Sequence, residues 1–238
     1  MAKTNGLNVR LYTAGYDLSG DANALSGMGY TNELLDVTTL DVSARKRIVG
    51  TVDSEISVEA FFDNAASQQH AVWTSNSNKL PTADQVVLIP LGSTAGDGGV
   101  GLVSKQGTYN IARGPGSAIT ASTTYTANGS GSEFGVMLTA LDDTYSSASS
   151  GTSIDNSASS SSGGAAYVQV FSLASGTVAM KVEHSANNSS WSDLVAFTNA
   201  TGITSERVTV SGTVNRYIRF TTTGTFSNAN VAVLFSRS

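Results

Sequence analysis

Short apolar runs with a two-residue period, separated by turns rich in Gly, Ser and Asn, recur along this chain and limit it to few folds. In Glu55–Phe62 every second residue is apolar, which predicts a strand with one buried face. Val86–Pro90 is a continuous apolar run, as expected of a strand covered on both faces. The pattern therefore predicts a mainly β protein.

The composition agrees with strands and argues against several classes of function. Charged residues make up 13% of the 238 residues, against roughly 25% in typical globular domains. A net charge of −5 argues against tight phosphate binding, which needs clustered Lys and Arg. With no cysteine, disulfides, thiolate metal sites and cysteine nucleophiles are excluded. No apolar run is long enough to span a bilayer, and the first ten residues have no apolar core, so we expect neither a membrane segment nor a secretory signal.

One shift in composition divides the chain. Residues 144–164 contain ten serines, which predicts a flexible linker or an exposed loop. We therefore predict a β domain over residues 1–143, a Ser/Gly-rich linker or exposed loop over 144–164, and a small β-sandwich over 165–238.

Local patterns predict the elements of each part. In the first part, a short helix over AASQQHAVWTS follows Asp63–Asn64 as an N-cap candidate. The other predicted strands of this part are Asn8–Tyr12, Gly101–Ala112 and Glu133–Leu141. In the second part, turns at Ser175–Gly176 and Gly224, among others, separate six predicted strands, which are Tyr167–Leu173, Val178–His184, Asp193–Phe197, Glu206–Val210, Val214–Phe220 and Val231–Phe235.

The segment Leu34–Gly50 follows neither a strand period nor a helix period. Its apolar residues are mixed with acids and with the triplet Arg45–Arg47, so a long two-stranded excursion or loop fits best. Long ordered excursions in compact domains are often functional. The triplet is either a solvated loop or an inter-subunit salt-bridge patch.

Several motifs suggest chemistry, but each has a simpler explanation. Gly96–Gly101 matches the dinucleotide-binding pattern, yet no helix is predicted after it, so we interpret it as a mobile hairpin loop. Ser185, His184 and Asp193 could form a catalytic set, but no nucleophile elbow is present. We interpret His184 as a strand-end histidine bonded to the loop 187–190, and Trp191 as a core residue rather than a sugar platform. Three pairs of acids could suggest a glycosidase or calcium site, but we interpret them as solvated surface residues: Glu55 and Glu59, Asp142 and Asp143, and Asp17 and Asp21. We therefore predict that the protein is not an enzyme and has no cofactor, metal or catalytic residue.

The order of these elements resembles the major tail (tail tube) protein of long, non-contractile-tailed bacteriophages. The stretch LDVTTLDVSARKRIVGTVDSEISVEAFFDN carries most of the likeness in the first part. The second part, from AYVQVFSL to VAVLFSR, resembles a C-terminal β-sandwich appended to some of these proteins. The resemblance implies a tail-tube-type β-barrel or sandwich with one short helix, plus an Ig-like β-sandwich projecting outwards.

In that family, six subunits close a ring, and the rings stack into a tube that conducts DNA without binding it specifically. The resemblance implies self-association, tape-measure and tail-terminator partners, synthesis in the bacterial cytoplasm and a place in the virion. The excursion would contact the adjacent ring through Leu35, Val37, Thr38, Thr39, Leu40, Arg45, Lys46 and Arg47. An inner sheet would present Glu55, Ser57 and Glu59 towards the lumen or a neighbouring subunit. Acids facing the lumen would repel phosphates and let DNA slide.

Two other functions stay open at this point. A virion decoration protein or adhesin would bind host glycans through the C-terminal sandwich, and deletion of 34–50 would leave its oligomeric state unchanged. A hydrolase built on His184 and Asp193 would lose activity, but not its fold, in His184→Ala.

Overall fold

The computed structural model describes residues 8–75 and 83–238. Strands account for 57% and helix for 3%, which confirms the mainly β class. Within the described residues the sheets are not closed into a barrel. The expectation that no secretory signal is present was drawn from the first ten residues. Residues 1–7 lie outside the described residues. Across residues 8–75 and 83–238, no helix has the length and apolar character that crossing a bilayer would require.

The first ten strands and the helix α1 form an N-terminal module. Its elements are β1 Tyr12–Thr13, β2 Tyr16–Asp17, β3 Ala22–Ser26, β4 Thr31–Asp36, β5 Arg47–Asp53, β6 Glu55–Phe61, α1 Gln69–Thr74, β7 Gln85–Pro90, β8 Gly98–Ala112, β9 Thr120–Ala127 and β10 Glu133–Met137. The first predicted strand was misplaced, because pairing with β7 begins only at Tyr12.

The core of this module lies between α1 and the inner faces of β6, β7, β8 and β9. The predicted alternation of β6 is confirmed, since Ile56 and Val58 are buried while Glu55 and Glu59 are exposed. The helix contributes the buried Trp73, whose indole N–H donates to the Tyr125 hydroxyl at 2.7 Å.

The helix begins later than the sequence predicts. Asp63 does not cap it, because its carboxylate accepts the N–H of Ala65 instead. The first-turn N–H of Gln69 donates to Oδ2 of Asp21 at 2.9 Å. The capping acid therefore comes from a residue 48 positions earlier, and the local pattern could not reveal it.

The remaining strands form a C-terminal module. They are β11 Thr144–Tyr145, β12 Ser149–Ser150, β13 Ile154–Asp155, β14 Gly164–Ser185, β15 Ser192–Ala196, β16 Thr204–Val210 and β17 Tyr217–Arg237. Strands β14 and β17 pair antiparallel from Gly164–Arg237 to Ser185–Tyr217. The strand β16 pairs with the first half of β14, and β15 pairs with its second half.

Two of the predicted turns in this module, at Gly176 and at Gly224, are wrong, since the chain does not reverse at either glycine. Gly176 and Gly224 lie within β14 and β17, with φ of +87° and +104°. The register also shifts between Val170 and Ser172. Valines from both halves of β14 share one buried cluster, so the long pair bends and its two halves form the layers of a sandwich. Glycine allows the bend because it adopts positive φ without steric cost.

The Ser/Gly-rich segment is part of the sheet and differs from the expected linker. Strands β11, β12 and β13 run in succession along β17, as shown by the pairs Thr144–Asn230, Ser149–Thr222 and Ile154–Ile218. Backbone hydrogen bonds need no apolar side chains, and hydroxyl side chains suit an exposed sheet edge. A serine-rich composition therefore did not mean an unpaired chain.

The two modules share a third buried cluster, so the second is not a projecting, tethered unit. Tyr12 and Leu88 pack there with Met137, Tyr167 and Leu234. The sheet is continuous across the junction, in the order β14–β17–β10–β8–β7–β1.

Polar contacts reinforce this junction. The buried Gln169 of β14 accepts the N–H of Gly15 at 2.6 Å and donates to the Val86 carbonyl at 2.7 Å. Arg207 of β16 binds both carboxylate oxygens of Glu133 in β10, at 2.6 and 2.8 Å, and the Tyr167 hydroxyl also donates to Glu133. Burial raises the pKa of Tyr167 above its ordinary value of 10.0, so its hydroxyl stays a donor to Glu133 in alkaline solution as well as at neutral pH.

Candidate functional site

The excursion predicted between Leu34 and Gly50 is a β-hairpin, which we call the β4–β5 hairpin (residues 31–53). Its strands pair antiparallel, and the register sets Leu34 opposite Val49 and Leu35 opposite Ile48. These strands form a two-stranded sheet of their own, so within the described residues they pair with no strand of the main sheet. The two-stranded form of the prediction is confirmed.

This hairpin carries exposed apolar side chains on both faces. Directly opposed residues share a face, and successive residues alternate. Leu34 and Val49, on one face, are 60% and 66% exposed, while Leu35 and Ile48, on the other, are 41% and 52% exposed. An isolated two-stranded ribbon is marginally stable in water. The hairpin therefore has the character of a surface that is covered by another molecule.

Hydrogen bonds order the tip of the hairpin. The N–H of Val37 donates to the Lys46 carbonyl at 2.9 Å. Thr38 donates its N–H and hydroxyl to Asp36, and these hydrogen bonds lower the pKa of that carboxyl. The Thr39 hydroxyl donates to Asp41. Both predicted contact threonines therefore use their hydroxyls within the tip, where they fix its shape.

The other predicted contact residues project from the same hairpin. Five of them are exposed and lie at or near its tip, namely Val37, Leu40, Arg45, Lys46 and Arg47. The structure thus brings the predicted set together on one projection.

The root of the hairpin is fixed to the N-terminal module. Ser54, directly after β5, is buried, and its hydroxyl accepts the N–H of Ser132 at 2.8 Å. Its carbonyl accepts the N–H of Ala127 at the same distance. Beside it lie two exposed rings, Tyr30 and Phe134, with centroids 6.4 Å apart. No local pattern predicts this aromatic pair, because its two residues are 104 positions apart in the sequence.

The predicted inner-sheet residues form the outer face of β6. Glu55 and Glu59 are exposed and Ser57 is half-buried. The strand β9 places Thr126, Thr124 and Ser122 directly opposite these three residues. The face is therefore a ladder of hydroxyls with two carboxylates, which offers a phosphate backbone no cationic partner on β6 or β9.

The residues of the hypothetical hydrolase do not form a catalytic set. Asp193 pairs with Lys181 at 2.9 Å instead of with His184. The Nδ1 atom of His184 accepts the N–H of Asn215 at 3.2 Å, so the predicted bond to the loop 187–190 is wrong. Burial lowers the pKa of His184, and the Ser185 hydroxyl donates to Asn187. In the described part of the chain, no group of three acidic or histidine residues could hold a metal ion.

The glycine motif, Gly96–Gly101, lies at the β7–β8 hairpin. Its last four residues belong to the strand β8, so the predicted mobile loop is wrong for them. Gly101 makes room for the Tyr167 ring, because a Cβ there would lie 2.6 Å from a ring carbon. The second tryptophan, Trp191, is half-buried outside the core clusters, with the Arg219 guanidinium 4.1 Å above its ring. Its predicted place in the core is therefore wrong.

No protein-family model matches this chain, and no curated protein matches it. Among solved structures, the Dit protein (gp 19.1) of phage SPP1, described as a paradigm of the hub adsorption apparatus in phages infecting Gram-positive bacteria, is similar at 11% identity with a TM-score of 0.39, over 96% of this chain and 98% of that chain. A chain of the phage p2 baseplate, in its activated conformation with Sr, is similar at 7% identity with a TM-score of 0.35, over 97% of this chain and 98% of that chain. Identities and TM-scores this low do not establish a shared function or assembly.

Proposed function

We propose that this chain is a non-enzymatic structural subunit of a phage tail, which associates with copies of itself through the β4–β5 hairpin. The observation that carries the proposal is the hairpin's exposed apolar surface on both faces, exemplified by Leu34 and Leu35. Covering such a surface with another copy removes apolar area from water and pairs free strand edges. The resemblance of the sequence to tail tube proteins supplies the identity of the assembly.

The finer form of the proposal is a tube of stacked hexameric rings in the virion. In that tube the hydroxyl-rich face of β6, with Ser57 and Glu59, lines the lumen, and DNA passes without specific binding. Tape-measure and tail-terminator proteins are the further partners that this role requires. The glycan-binding alternative has less support, because the Arg219 guanidinium covers one face of Trp191, the side chain that would stack on a sugar.

The test is self-association of the purified full-length chain, measured by sedimentation velocity and negative-stain electron microscopy at rising concentration. We expect rings or tubes with a central channel for the wild type. The double variant Leu35→Asp/Ile48→Asp should stay monomeric, because each substitution places a charge on the apolar face of the hairpin.

The matched control is Leu91→Asp/Ile203→Asp, which alters two exposed apolar residues away from the hairpin and should assemble as the wild type does. Circular dichroism and thermal unfolding should show that both double variants keep the fold. A wild type that stays monomeric at its highest soluble concentration, or a hairpin variant that assembles normally, would contradict the proposal.

A further inference from the structure

We propose that copies of this chain join head to tail, with the basic tip of one β4–β5 hairpin docked against the acidic root of the hairpin on the next copy. The basic tip consists of Arg45, Lys46 and Arg47, and the acidic root consists of Glu33, Asp53 and Glu55. This inference rests on the proposed self-association through the hairpin. It adds the polarity of the contact and the residues that meet in it.

Charge is unevenly distributed along the hairpin. Residues 36–47 carry three bases and two acids, Asp36 and Asp41, for a net charge of +1. The flanking residues 30–35 and 48–59 carry four acids, including Glu59, and no base, for a net charge of −4. The hairpin is therefore electrically asymmetric, positive at its tip and negative at its root.

Neither the tip nor the root has an ion-pair partner among the described residues. Six ion pairs are formed among residues 8–75 and 83–238, and none involves a charged group of the tip or of the root. At the root, the base nearest along the sheet is Lys105, two strands away from Glu55, and it is already paired with Asp84 at 2.8 Å. At the tip, the oxygens of Asp36 and Asp41 accept hydroxyl hydrogen bonds from Thr38 and Thr39.

The tip end and the root end of one hairpin are far apart. The register places Asp36 opposite Arg47 at the tip end and Thr31 opposite Asp53 at the root end, five residues apart along β4. At about 3.4 Å per residue this is roughly 17 Å, well beyond the screening length of about 8 Å at physiological salt. The tip therefore lies too far from Asp53 and Glu55 to neutralise them, whereas the tip of a neighbouring copy can contact the root directly.

Exposed apolar side chains on both faces of the hairpin favour a chain of copies over a closed pair. Leu34 and Val49 need cover on one face of the hairpin, and Leu35 and Ile48 need it on the other. Two hairpins stacked about a two-fold axis would cover one face each and leave the other in water. Head-to-tail docking gives each hairpin two different neighbours, one on its tip and one on its root, and such contacts continue into rings or filaments.

The experiment is a charge swap in the full-length chain. The tip variant carries Arg45→Glu, Lys46→Glu and Arg47→Glu, and the root variant carries Glu33→Lys, Asp53→Lys and Glu55→Lys. The concentration at which half of the protein is assembled is measured by sedimentation velocity for each variant alone and for their equimolar mixture. Arg113→Glu, an exposed base away from the hairpin, is the control.

We expect each triple variant alone to need at least about ten times more protein to assemble, because like charges then meet at the contact. The mixture should return to within a few-fold of the wild type, since each reversed tip now meets a reversed root. Added NaCl should weaken wild-type assembly. A neutral tip variant, Arg45→Gln/Lys46→Gln/Arg47→Gln, should show an intermediate loss, and all variants should keep the wild-type circular dichroism spectrum.

Three results would overturn the inference. Normal assembly of both triple variants would show that charge does not guide docking, and a mixture that stays dissociated would show that tip and root do not meet. A mixture that stops at dimers would show two-fold pairing instead of head-to-tail growth. None of these results contradicts the proposed function, which is tested separately by the apolar variant Leu35→Asp/Ile48→Asp.

Discussion

Two antiparallel ribbons in this molecule, β14–β17 and β4–β5, have the same local construction and opposite surroundings. In β14–β17, the apolar side chains of Val168, Met180 and Phe220 are fully buried. In β4–β5, the corresponding apolar pairs, such as Leu35 and Ile48, face water. Apolar side chains are therefore present in both ribbons, but only one of the ribbons is covered by its own chain.

Length and bending explain the difference. Strands β14 and β17 are 22 and 21 residues long, and positive φ angles at Gly176 and Gly224 accompany the bend that folds one half of the pair over the other. Strands β4 and β5 have 6 and 7 residues, too few to form two layers. The long ribbon supplies its own second layer, whereas the short hairpin needs a second molecule. The long ribbon thus stabilises the fold, and the short hairpin is the ribbon that we propose mediates assembly.

The sharpest way to test this contrast is to remove one large apolar side chain from each ribbon. Phe220→Ala in β17 should lower the free energy of unfolding by about 3–5 kcal/mol, because it leaves a cavity in a closed core. Leu35→Ala in the hairpin should change it by no more than about 0.5 kcal/mol, because that side chain is exposed in the single chain.

Urea titration of the unassembled protein, followed by circular dichroism, measures both values. Equal losses in the two variants would mean that the hairpin packs against its own chain in solution.

A smaller effect is expected from substitution of a glycine at the bend. Gly176→Ala should cost about 1–3 kcal/mol, because alanine is strained at a φ of +87°. A Cβ at this position would also collide with the carbonyl oxygen of Thr225 in β17. Thermal unfolding of the unassembled chain gives the measurement.

Gly202→Ala is the matched control in the same module, since a Cβ there meets no atom within 4 Å and the backbone is not in the positive-φ region. An undiminished melting temperature in Gly176→Ala would show that the bend does not depend on glycine.

Local periodicity predicted what depends on neighbouring residues. It located β6 and its buried face, because alternation reports which side of a strand meets the core, and a continuous apolar run located the fully buried β7. It could not distinguish a reversal from a bend at Gly176. Both need a positive φ, and only the continued pairing of Val178 with Gly224 decides between them.

The candidate site was predicted in the same uneven way. The hairpin and its basic triplet were found from composition and from the lack of a clear period. The aromatic pair of Tyr30 and Phe134, and the strand pairing of the serine-rich segment, depend on contacts between residues far apart in sequence. Serine content indicated exposure correctly, but it carried no information about which backbone groups pair.

The edge strand β13 of this serine-rich segment gives the smallest predicted effect, which is confined to acid. Asp155 accepts two hydrogen bonds from Arg216, at 2.6 and 2.7 Å, and a third from the N–H of Ser157. These lower the pKa of Asp155 from 3.8 to about 2. Since the folded state holds the proton less tightly than the unfolded state, the contribution of this carboxylate to stability is complete above about pH 4. It is lost as the pH falls from there through 2.

The variant Asp155→Asn should therefore lose less stability than the wild type between pH 4 and pH 2, and melting temperatures across this range provide the measurement. Other carboxyls with lowered pKa, such as Asp84 and Asp97, contribute to the acid transition of both proteins, so the informative quantity is the difference between the two curves. Glu59→Gln, an exposed carboxylate without an ion pair among the described residues, should follow the wild type. Parallel curves for Asp155→Asn and the wild type would mean that the ion pair with Arg216 does not hold β13 against β17, and that the serine-rich edge depends on its backbone pairing alone.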